Sequence, residues 1–182
     1  MIDRKKFFKV VRAKFGKLSQ PQVNGFDCIL SQWEMEEETD LRRLAYMLAT
    51  CWHETARTMR PIAEYGKGKG RKYGRIVDGR VYYGRGFVQL TWDYNYKKMG
   101  KILQIPLYEN PELALQLGYA TEILFEGMLT RKSFKGDFTG RALENYFNQK
   151  TNDPIGARRI INGTDKAVLI SSYHYKFLEA VS

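Results

Sequence analysis

Seven glycines fall between residues 64 and 86 of a chain whose other segments are patterned as helices, and this run limits the possible folds more than any other feature. Glycine has the most backbone entropy to lose, so the segment does not support a stable helix and predicts a loop or a short hairpin. On either side of it, apolar residues recur at helical spacing. The 182 residues therefore predict a mainly α domain with one small glycine-rich loop or β-hairpin region.

Capping residues mark where the helices are expected to begin. Asp3 precedes an apolar stripe that stops at Gly16, and Ser19 opens a second stripe that runs to Trp33. Thr39 or Asp40 begins a third helix, which carries the first chemically interesting residues. Later helix starts are predicted at Asn110, Thr139, Asp153 and Thr164.

The length predicts one domain that spans residues 1–182. The composition, 43% hydrophobic and 14% aromatic, is that of a folded protein. No apolar run is long enough for a membrane span, and the basic N-terminus lacks the apolar core of a secretory signal. Cys28 and Cys51 are expected to be reduced thiols. Two cysteines and two distant histidines cannot make a four-ligand structural zinc site without help from carboxylates. No metal or cofactor is expected.

Positive charge is concentrated in two segments of this chain, whose formal net charge is +10. Residues 1–17 carry seven Lys or Arg against one Asp, and residues 67–85 carry seven more, also against one Asp. Such a field favours a polyanionic partner, and nucleic acid, anionic lipid and a cell-wall polymer all fit that description. The alternative for each run is a solvated surface without a partner.

Glu54 is the first candidate for chemistry. It follows His53, and the two would begin a zinc-protease motif only with a second histidine at position 57, which is Arg57. Glu54 lies near the end of the third predicted helix, beside Trp52. A partly desolvated carboxyl group there retains a proton near neutral pH and can act as a general acid. The alternative is a structural carboxylate paired with Arg57 or Arg60.

Glu64 is the candidate for a second carboxylate, ten residues further on, where helical patterning stops. Glycoside hydrolysis needs two carboxyl groups: one protonates the leaving oxygen, and the other activates water or attacks the sugar. Asp78 competes for the second role. The alternative for Glu64 is a solvated charge that balances its basic neighbours.

Residues 82–96 are dense in aromatic and amide side chains. Aromatic faces stack on sugar rings, and amides match hydroxyl and acetamido groups. The same composition also suits a hairpin with an aromatic core, or bases stacked in a single-stranded nucleic-acid groove. Composition alone leaves the three interpretations open.

Taken in order, four short motifs resemble glycoside hydrolase family 19, which comprises plant-type chitinases and bacteriophage endolysins built on the same lysozyme-like core. The similarity runs from about residue 20 to the end of the chain. The motifs are His53-Glu54-Thr55, then Tyr82-Tyr83-Gly84-Arg85-Gly86 with Gln89-Leu90-Thr91, then Tyr94-Asn95-Tyr96, and finally Ala157-Arg158-Arg159-Ile160-Ile161-Asn162-Gly163.

The resemblance implies a catalytic role for three residues. Glu54 aligns with the proton donor, and Thr91 with a residue that holds the attacking water; Glu64 would then be the general base of an inverting mechanism. The interval between the two acids is shorter than in plant chitinases and resembles that of phage lysozyme-like enzymes. The residues that the resemblance places at the sugar-binding site are His53, Tyr83, Gln89, Tyr94, Asn95 and Asn162.

The implied activity is hydrolysis of the β-1,4 bond between N-acetylmuramic acid and N-acetylglucosamine in peptidoglycan, without a cofactor. Chitin hydrolysis, a lytic transglycosylase reaction and a non-catalytic module that binds wall or nucleic acid remain alternatives. The resemblance also implies a monomer made in a bacterial host's cytoplasm that reaches the wall through a separate holin-type lesion. Its partners would be the glycan strands and, through the basic patches, the anionic envelope, with no specific nucleic acid. Phe7, Phe8 and Phe15 of the first helix either pack in the core or contact lipid.

Overall fold

The computed structural model describes residues 1–131 and 138–182, and its secondary structure there is mainly helical. Among these residues, no helix combines the length and the apolar character needed to span a bilayer. The α-helices are α1 (Arg4–Phe15), α2 (Gln20–Met35), α3 (Leu41–Glu54), α4 (Asp93–Leu103), α5 (Leu117–Met128) and α6 (Ala167–Val181). The strands are β1 (Ile62–Ala63), β2 (Ile76–Val77), β3 (Arg80–Val81) and β4 (Arg85–Gly86). The mainly α prediction is confirmed.

The first three helix starts are confirmed, because each has the cap that the sequence predicts. The Asp3 side chain accepts a hydrogen bond from the backbone N–H of Lys6 at 3.0 Å, and Ser19 forms a capping box with Gln22. Asp40 caps α3. Such caps satisfy backbone N–H groups that have no partner inside the helix.

The prediction of one continuous helix from Asn110 is wrong, because the helix is interrupted. A 3₁₀ turn covers Pro111–Leu115, Gln116 is extended, and α5 begins only at Leu117. The 3₁₀ turn packs against β4, where a Cβ on Gly86 would lie 2.9 Å from the carbonyl oxygen of Ala114. This contact between distant segments overrides the helical pattern of the local sequence.

The later predicted starts also need correction. The segments after Thr139 and Asp153 contain only the 3₁₀ turns Leu143–Asn145 and Gly156–Ile160. The last helix begins after Lys166 rather than at Thr164. An apolar spacing of three residues is shared by 3₁₀ and α-helices, so the sequence pattern does not separate the two in these segments.

Helix α4 was not predicted, because its first residues belong to the aromatic segment, whose pattern also suits a hairpin.

The core is built around α3, which packs along α6 and is buried from Leu44 to Trp52. Trp52 stacks on Phe26 of α2 and contacts Phe177 of α6. Phe15 of α1 stacks on Phe177 with ring centroids 4.8 Å apart. Phe7 is fully buried. The aromatic side chains of α1 therefore pack into the core, in agreement with the first of the two roles considered above.

Both cysteines are free thiols, as expected. Cys51 is fully buried on α3, and this burial raises the pKa of its thiol well above the ordinary value. Cys28 lies 3.3 Å from the hydroxyl oxygen of Thr121.

His174 is a buried histidine at the contact between α3 and α6. It is 0% exposed, and neither ring nitrogen has a hydrogen-bond partner among the described residues. Its ring stacks on Phe147 and packs against Tyr46. Burial lowers the pKa of His174 to about 4, and the charge of Arg42 acts in the same direction. The imidazole is therefore neutral in the folded protein at neutral pH.

His174 should make the protein less stable in acid. Because its pKa is lower in the folded state than the unfolded value of about 6.5, the unfolded chain binds the extra proton, and stability falls as the pH drops from about 6.5 towards 4. Between pH 7 and 5 this group should remove about 2 kcal/mol from the free energy of unfolding. Urea unfolding of the wild type and His174→Phe at both pH values checks this. An equal pH-dependent loss in both proteins would contradict it.

The glycine-rich lobe, residues 66–81, confirms the expected small hairpin region. Strand β2 pairs with β3 in antiparallel register. Gly68 and Gly74 bring two backbone segments together: a Cβ on Gly74 would lie 1.8 Å from the carbonyl oxygen of Gly68. A Cβ on Gly66 would meet nothing within 4 Å. Gly74 therefore permits a close backbone contact within the lobe, whereas Gly66 does not.

Gly74→Ala should destabilise the protein by about 1–3 kcal/mol, because the added methyl group forces two backbone segments apart. Gly66→Ala is the matched control, and its stability should lie within about 0.5 kcal/mol of the wild type. Urea unfolding measures both variants. Equal stabilities would show that the close backbone contact does not hold the lobe.

Candidate active site

Glu54 is the last residue of α3, and its side chain is held by a residue far away in the sequence. Nη1 of Arg158 donates to Oε1 of Glu54 at 2.5 Å, across 104 residues. Arg158 is 1% exposed, and its Nε donates to the carbonyl of Asp165 at 2.9 Å. The ion pair of Glu54 is thus with Arg158 and not with Arg57 or Arg60, the partners considered from the sequence.

The turn after Glu54 is held in an unusual backbone conformation. Ala56, Arg57 and Met59 all have positive φ angles, between 49° and 68°. Non-glycine residues in this region cost about 1 kcal/mol or more each and persist only where the surrounding structure enforces them. Thr55 enforces this conformation, because its hydroxyl donates to the carbonyl of Cys51 and accepts from the N–H of Met59. The chain therefore leaves Glu54 along one defined path.

Glu64 follows β1 directly, and two donors hold its carboxylate. The hydroxyl of Tyr73 donates to Oε1 at 2.8 Å, and the N–H of Gly84 donates to Oε2 at 3.2 Å. The backbone N–H of Glu64 also donates to the carbonyl of Gly84 at 2.7 Å. Burial and the bond to Glu64 both raise the pKa of Tyr73, so its hydroxyl remains a donor. Glu64 is therefore a positioned carboxylate and not a solvated surface charge.

Gln89 stabilises the two-stranded sheet of β1 and β4, which Glu64 directly follows. Strands β1 and β4 pair with Ile62 opposite Gly86. Nε2 of Gln89 donates to the carbonyl of Ile62 at 3.1 Å and to that of Gly86 at 3.3 Å. These bonds occupy the amide nitrogen. The sugar-binding role predicted for Gln89 stays a prediction.

The inner face of the aromatic segment forms a buried cluster around Arg85. This guanidinium is 4% exposed and bonds Glu112 at 2.7 Å. Its carbon lies 3.5 Å from the ring centroid of Tyr83, and one Nη donates to the hydroxyl oxygen of Tyr96. Tyr83 is only 7% exposed, and its hydroxyl donates to Glu112. The contacts found for Tyr83 are thus structural, and its role at the sugar site stays a prediction.

The outer face of the same segment is an aromatic surface next to Glu64. Tyr94 is 59% exposed and stacks on Trp92, with ring centroids 5.7 Å apart. Trp92 in turn contacts the edge of Tyr73, whose hydroxyl bonds Glu64. An exposed aromatic face that connects to a carboxylate suits a sugar ring better than it suits a protein core.

Thr91 and Asn95 lie at the start of α4, beside this surface. The Asn95 amide donates to the carbonyl of Thr91 at 3.0 Å. The hydroxyl of Thr91, which is half-buried, makes no hydrogen bond with a residue that the structure describes. It therefore suits the water-holding role predicted for it, which remains untested by these contacts.

His53 and Asn162 lie near Glu54. His53 is half-buried, and burial lowers its pKa, so the imidazole is neutral at neutral pH. Asn162 is exposed, and its backbone N–H donates to the carbonyl of Arg158, the residue that holds Glu54. The sugar-binding roles of both residues stay predictions.

Asp78, the competing second carboxylate, lies elsewhere. It occupies the turn between β2 and β3 with a positive φ of 48°, and its carboxylate accepts the hydroxyl of Tyr108 at 2.7 Å. Among the described residues, its side chain forms no hydrogen bond or ion pair with Glu64 or with Tyr73, Trp92 or Tyr94. The geometry therefore favours Glu64 over Asp78.

Two site residues were not assigned from the sequence. Arg158 falls inside the fourth motif but carries no local signal that it contacts Glu54. Tyr73 lies in the glycine-rich lobe, where composition indicates only a loop. The described residues contain no group of three or more His, Cys, Asp or Glu side chains that could hold a metal ion.

Known proteins resemble this chain in both sequence and fold. Residues 45–132 match the model of the family described as chitinase class I, in glycoside hydrolase family 19. An endochitinase from Arabidopsis thaliana is 43% identical over 65 residues, a match that covers 34% of this chain and only 24% of that protein. A 35-residue stretch is 51% identical to an inactive chitinase-like protein from Hevea brasiliensis, over 11% of its length. The chain thus spans a small part of these relatives.

Solved chitinase structures share the fold over nearly the whole chain. Chitinase C from Streptomyces griseus superposes with a TM-score of 0.62 at 21% identity, over 99% of this chain and 76% of that one. A class IV family 19 chitinase from Zea mays gives 0.56 at 16% identity, over 96% and 90%. At such identities the likeness concerns the fold alone. Residues 45–132 are therefore similar to the class I chitinases of glycoside hydrolase family 19, and the chain shares the fold of the solved chitinases.

Proposed function

We propose that this protein hydrolyses the β-1,4 bond between N-acetylmuramic acid and N-acetylglucosamine in bacterial peptidoglycan. The observation that carries the proposal is a pair of carboxyl groups, each held in place by its own partners. Arg158 holds Glu54, while Tyr73 and the N–H of Gly84 hold Glu64. Two positioned carboxyl groups are what acid–base cleavage of a glycosidic bond requires.

In the proposed mechanism, Glu54 is the general acid and gives its proton to the departing sugar oxygen. Arg158 engages Oε1 of Glu54, which leaves Oε2 to face the departing oxygen. Glu64 is the general base and takes a proton from a water molecule that the Thr91 hydroxyl orients. That water attacks the anomeric carbon on the face opposite the leaving group, which inverts the configuration.

The aromatic surface and the net charge support a glycan of the bacterial wall as the substrate. The exposed ring of Tyr94, stacked on Trp92, offers a flat apolar face for a sugar. The net charge of +10 favours association with an anionic polymer, and chitin carries no charge. The wider setting of the proposal is a monomer made in the cytoplasm of a phage-infected bacterium, which reaches the wall through a holin-type lesion.

Chitin is the second candidate substrate. The names of the similar proteins favour it, since the family model is that of class I chitinases and the matched Arabidopsis protein is an endochitinase. Both polymers contain N-acetylglucosamine, but only peptidoglycan carries the lactyl group and its peptide. The carboxylate pair and the aromatic surface would serve either polymer.

Mass spectrometry of the products tests the proposal. Purified sacculi and colloidal chitin are digested in parallel, and the products are reduced with borohydride before analysis. The proposal expects muropeptides that end in reducible N-acetylmuramic acid. Anhydro-muramic ends would indicate a lytic transglycosylase, and products from chitin alone would indicate a chitinase. Retention on sacculi or DNA without any product would indicate a non-catalytic binding module.

A further inference from the structure

We propose that the glycine-rich lobe, residues 66–81, is a subsite for the carboxylate groups of the substrate's peptide side chains. The inference rests on the proposed function, because it takes the glycan to be peptidoglycan. It adds that this enzyme distinguishes an anionic glycan from a neutral one at the site itself, and not only through the net charge of the molecule.

Two contacts attach the lobe to the candidate base, and a third attaches it to the aromatic surface. The hydroxyl of Tyr73, in the middle of the lobe, donates to Glu64 at 2.8 Å. The Tyr73 ring also contacts Trp92 of the aromatic surface. At the start of the lobe, the backbone N–H of Lys67 donates to the carbonyl of Glu64 at 3.0 Å. A charge carried by the lobe therefore lies beside the place where the glycan must bind.

The charge of the lobe is strongly positive and largely uncompensated. Its only acid, Asp78, is engaged by the hydroxyl of Tyr108, and Arg75 lies 3.8 Å from Asp93 at the start of α4. The other five cations are exposed, and none of them forms an ion pair with a carboxylate of any described residue. These five are Lys67, Lys69, Arg71, Lys72 and Arg80.

Some cations elsewhere in the protein are paired with carboxylates. Arg4 binds Asp27 and Glu34, and Arg131 lies within 4.0 Å of three glutamates. The lobe instead presents its cations to solvent on a framework that the contact between Gly68 and Gly74 constrains. Cations held on a constrained backbone lose less entropy when they bind an anion than cations on a free loop.

Carboxylates are the chemical partner that these groups fit. An ammonium or guanidinium group forms charge-assisted hydrogen bonds with a carboxylate, and these are stronger than bonds between neutral groups. The peptides of peptidoglycan carry free carboxylates close to the glycan, whereas chitin has none. The lobe would therefore contribute to binding only when the glycan bears its peptides.

A triple variant, Lys67→Gln with Lys69→Gln and Lys72→Gln, tests the inference. The substrates are soluble peptidoglycan strands in two forms: native, and with their carboxylates converted to amides. On native strands at low salt, we expect kcat/KM to fall about tenfold, mainly through KM, since three exposed charge contacts are lost. On amidated strands the variant should match the wild type, which also shows that it is folded and active. In 1 M salt, where the Debye length is about 3 Å, the two proteins should converge on native strands.

The matched control removes the same charge from α1, with Lys5→Gln, Lys6→Gln and Lys9→Gln. These lysines are exposed and have no carboxylate partner among the described residues. Their loss should change kcat/KM on native strands less than about twofold. Equal losses in the two triple variants would overturn the inference, because net charge alone would then explain the effect.

Two further outcomes separate the inference from the function on which it rests. If the wild type cleaves native strands and the lobe variant does so equally well, or loses as much on amidated strands, only the lobe inference fails. If the wild type leaves native strands intact and cleaves chitin oligosaccharides, the proposed function fails, and the inference fails with it.

Discussion

Glu54→Gln should reduce the turnover of peptidoglycan by about 10²–10⁴-fold, the contribution of one general acid. The amide of the introduced glutamine keeps an oxygen that can accept the bond from Arg158 but has no proton to give to the leaving sugar. The loss should therefore appear in kcat, with KM little changed. Release of reducing ends from soluble strands, followed over a range of substrate concentrations, measures both parameters.

Stability must be measured beside this activity, because Glu54 is the partner of a buried arginine. The bond from Arg158 to a neutral amide oxygen is weaker than its bond to a carboxylate, so the variant should unfold at a lower urea concentration. Glu112→Gln is the matched control: Glu112 also pairs with a nearly buried arginine, Arg85, at 2.7 Å. It should lose some stability and retain most of its activity. If Glu54→Gln kept most of the wild-type rate, Glu54 would not be the acid.

Glu64→Gln should cause a loss of similar size, about 10²–10⁴-fold, if Glu64 activates the attacking water. The amide oxygen of the introduced glutamine can still accept the hydrogen bond from the Tyr73 hydroxyl, so the segment around residue 64 should stay folded. This variant also separates two reaction types. A lytic transglycosylase needs an acid but no activated water, so its rate would depend on Glu54 far more than on Glu64.

Asp78→Asn is the control for Glu64→Gln, because Asp78 likewise accepts a tyrosine hydroxyl, that of Tyr108, at 2.7 Å. Its activity should stay within about twofold of the wild type, since Asp78 lies at the hairpin turn. The reverse result, with Asp78→Asn inactive and Glu64→Gln active, would assign the second carboxyl role to Asp78. Muropeptide analysis of all four variants gives product and rate together.

Local signals in the sequence were enough to predict much of the fold. Asp3 and Asp40 begin helices because their side chains bond backbone N–H groups two or three residues away, and Ser19 begins one through its capping box with Gln22. The glycines between residues 64 and 86 stop the helical pattern for an equally local reason. The break at Gln116 was not predictable in this way, because it depends on how Ala114 packs against Gly86.

The sequence by itself determined which chemistry the chain can offer: two acids ten residues apart, an aromatic segment and a basic glycine-rich lobe. The tertiary structure decided how those groups are held. It brought Arg158 to Glu54 across 104 residues, set Tyr73 against Glu64, and turned Tyr83 inwards while Tyr94 faces out. Capping and glycine effects act between neighbours in the chain, so the sequence shows them. A contact between distant residues exists only once the helices have packed, and no local pattern records it.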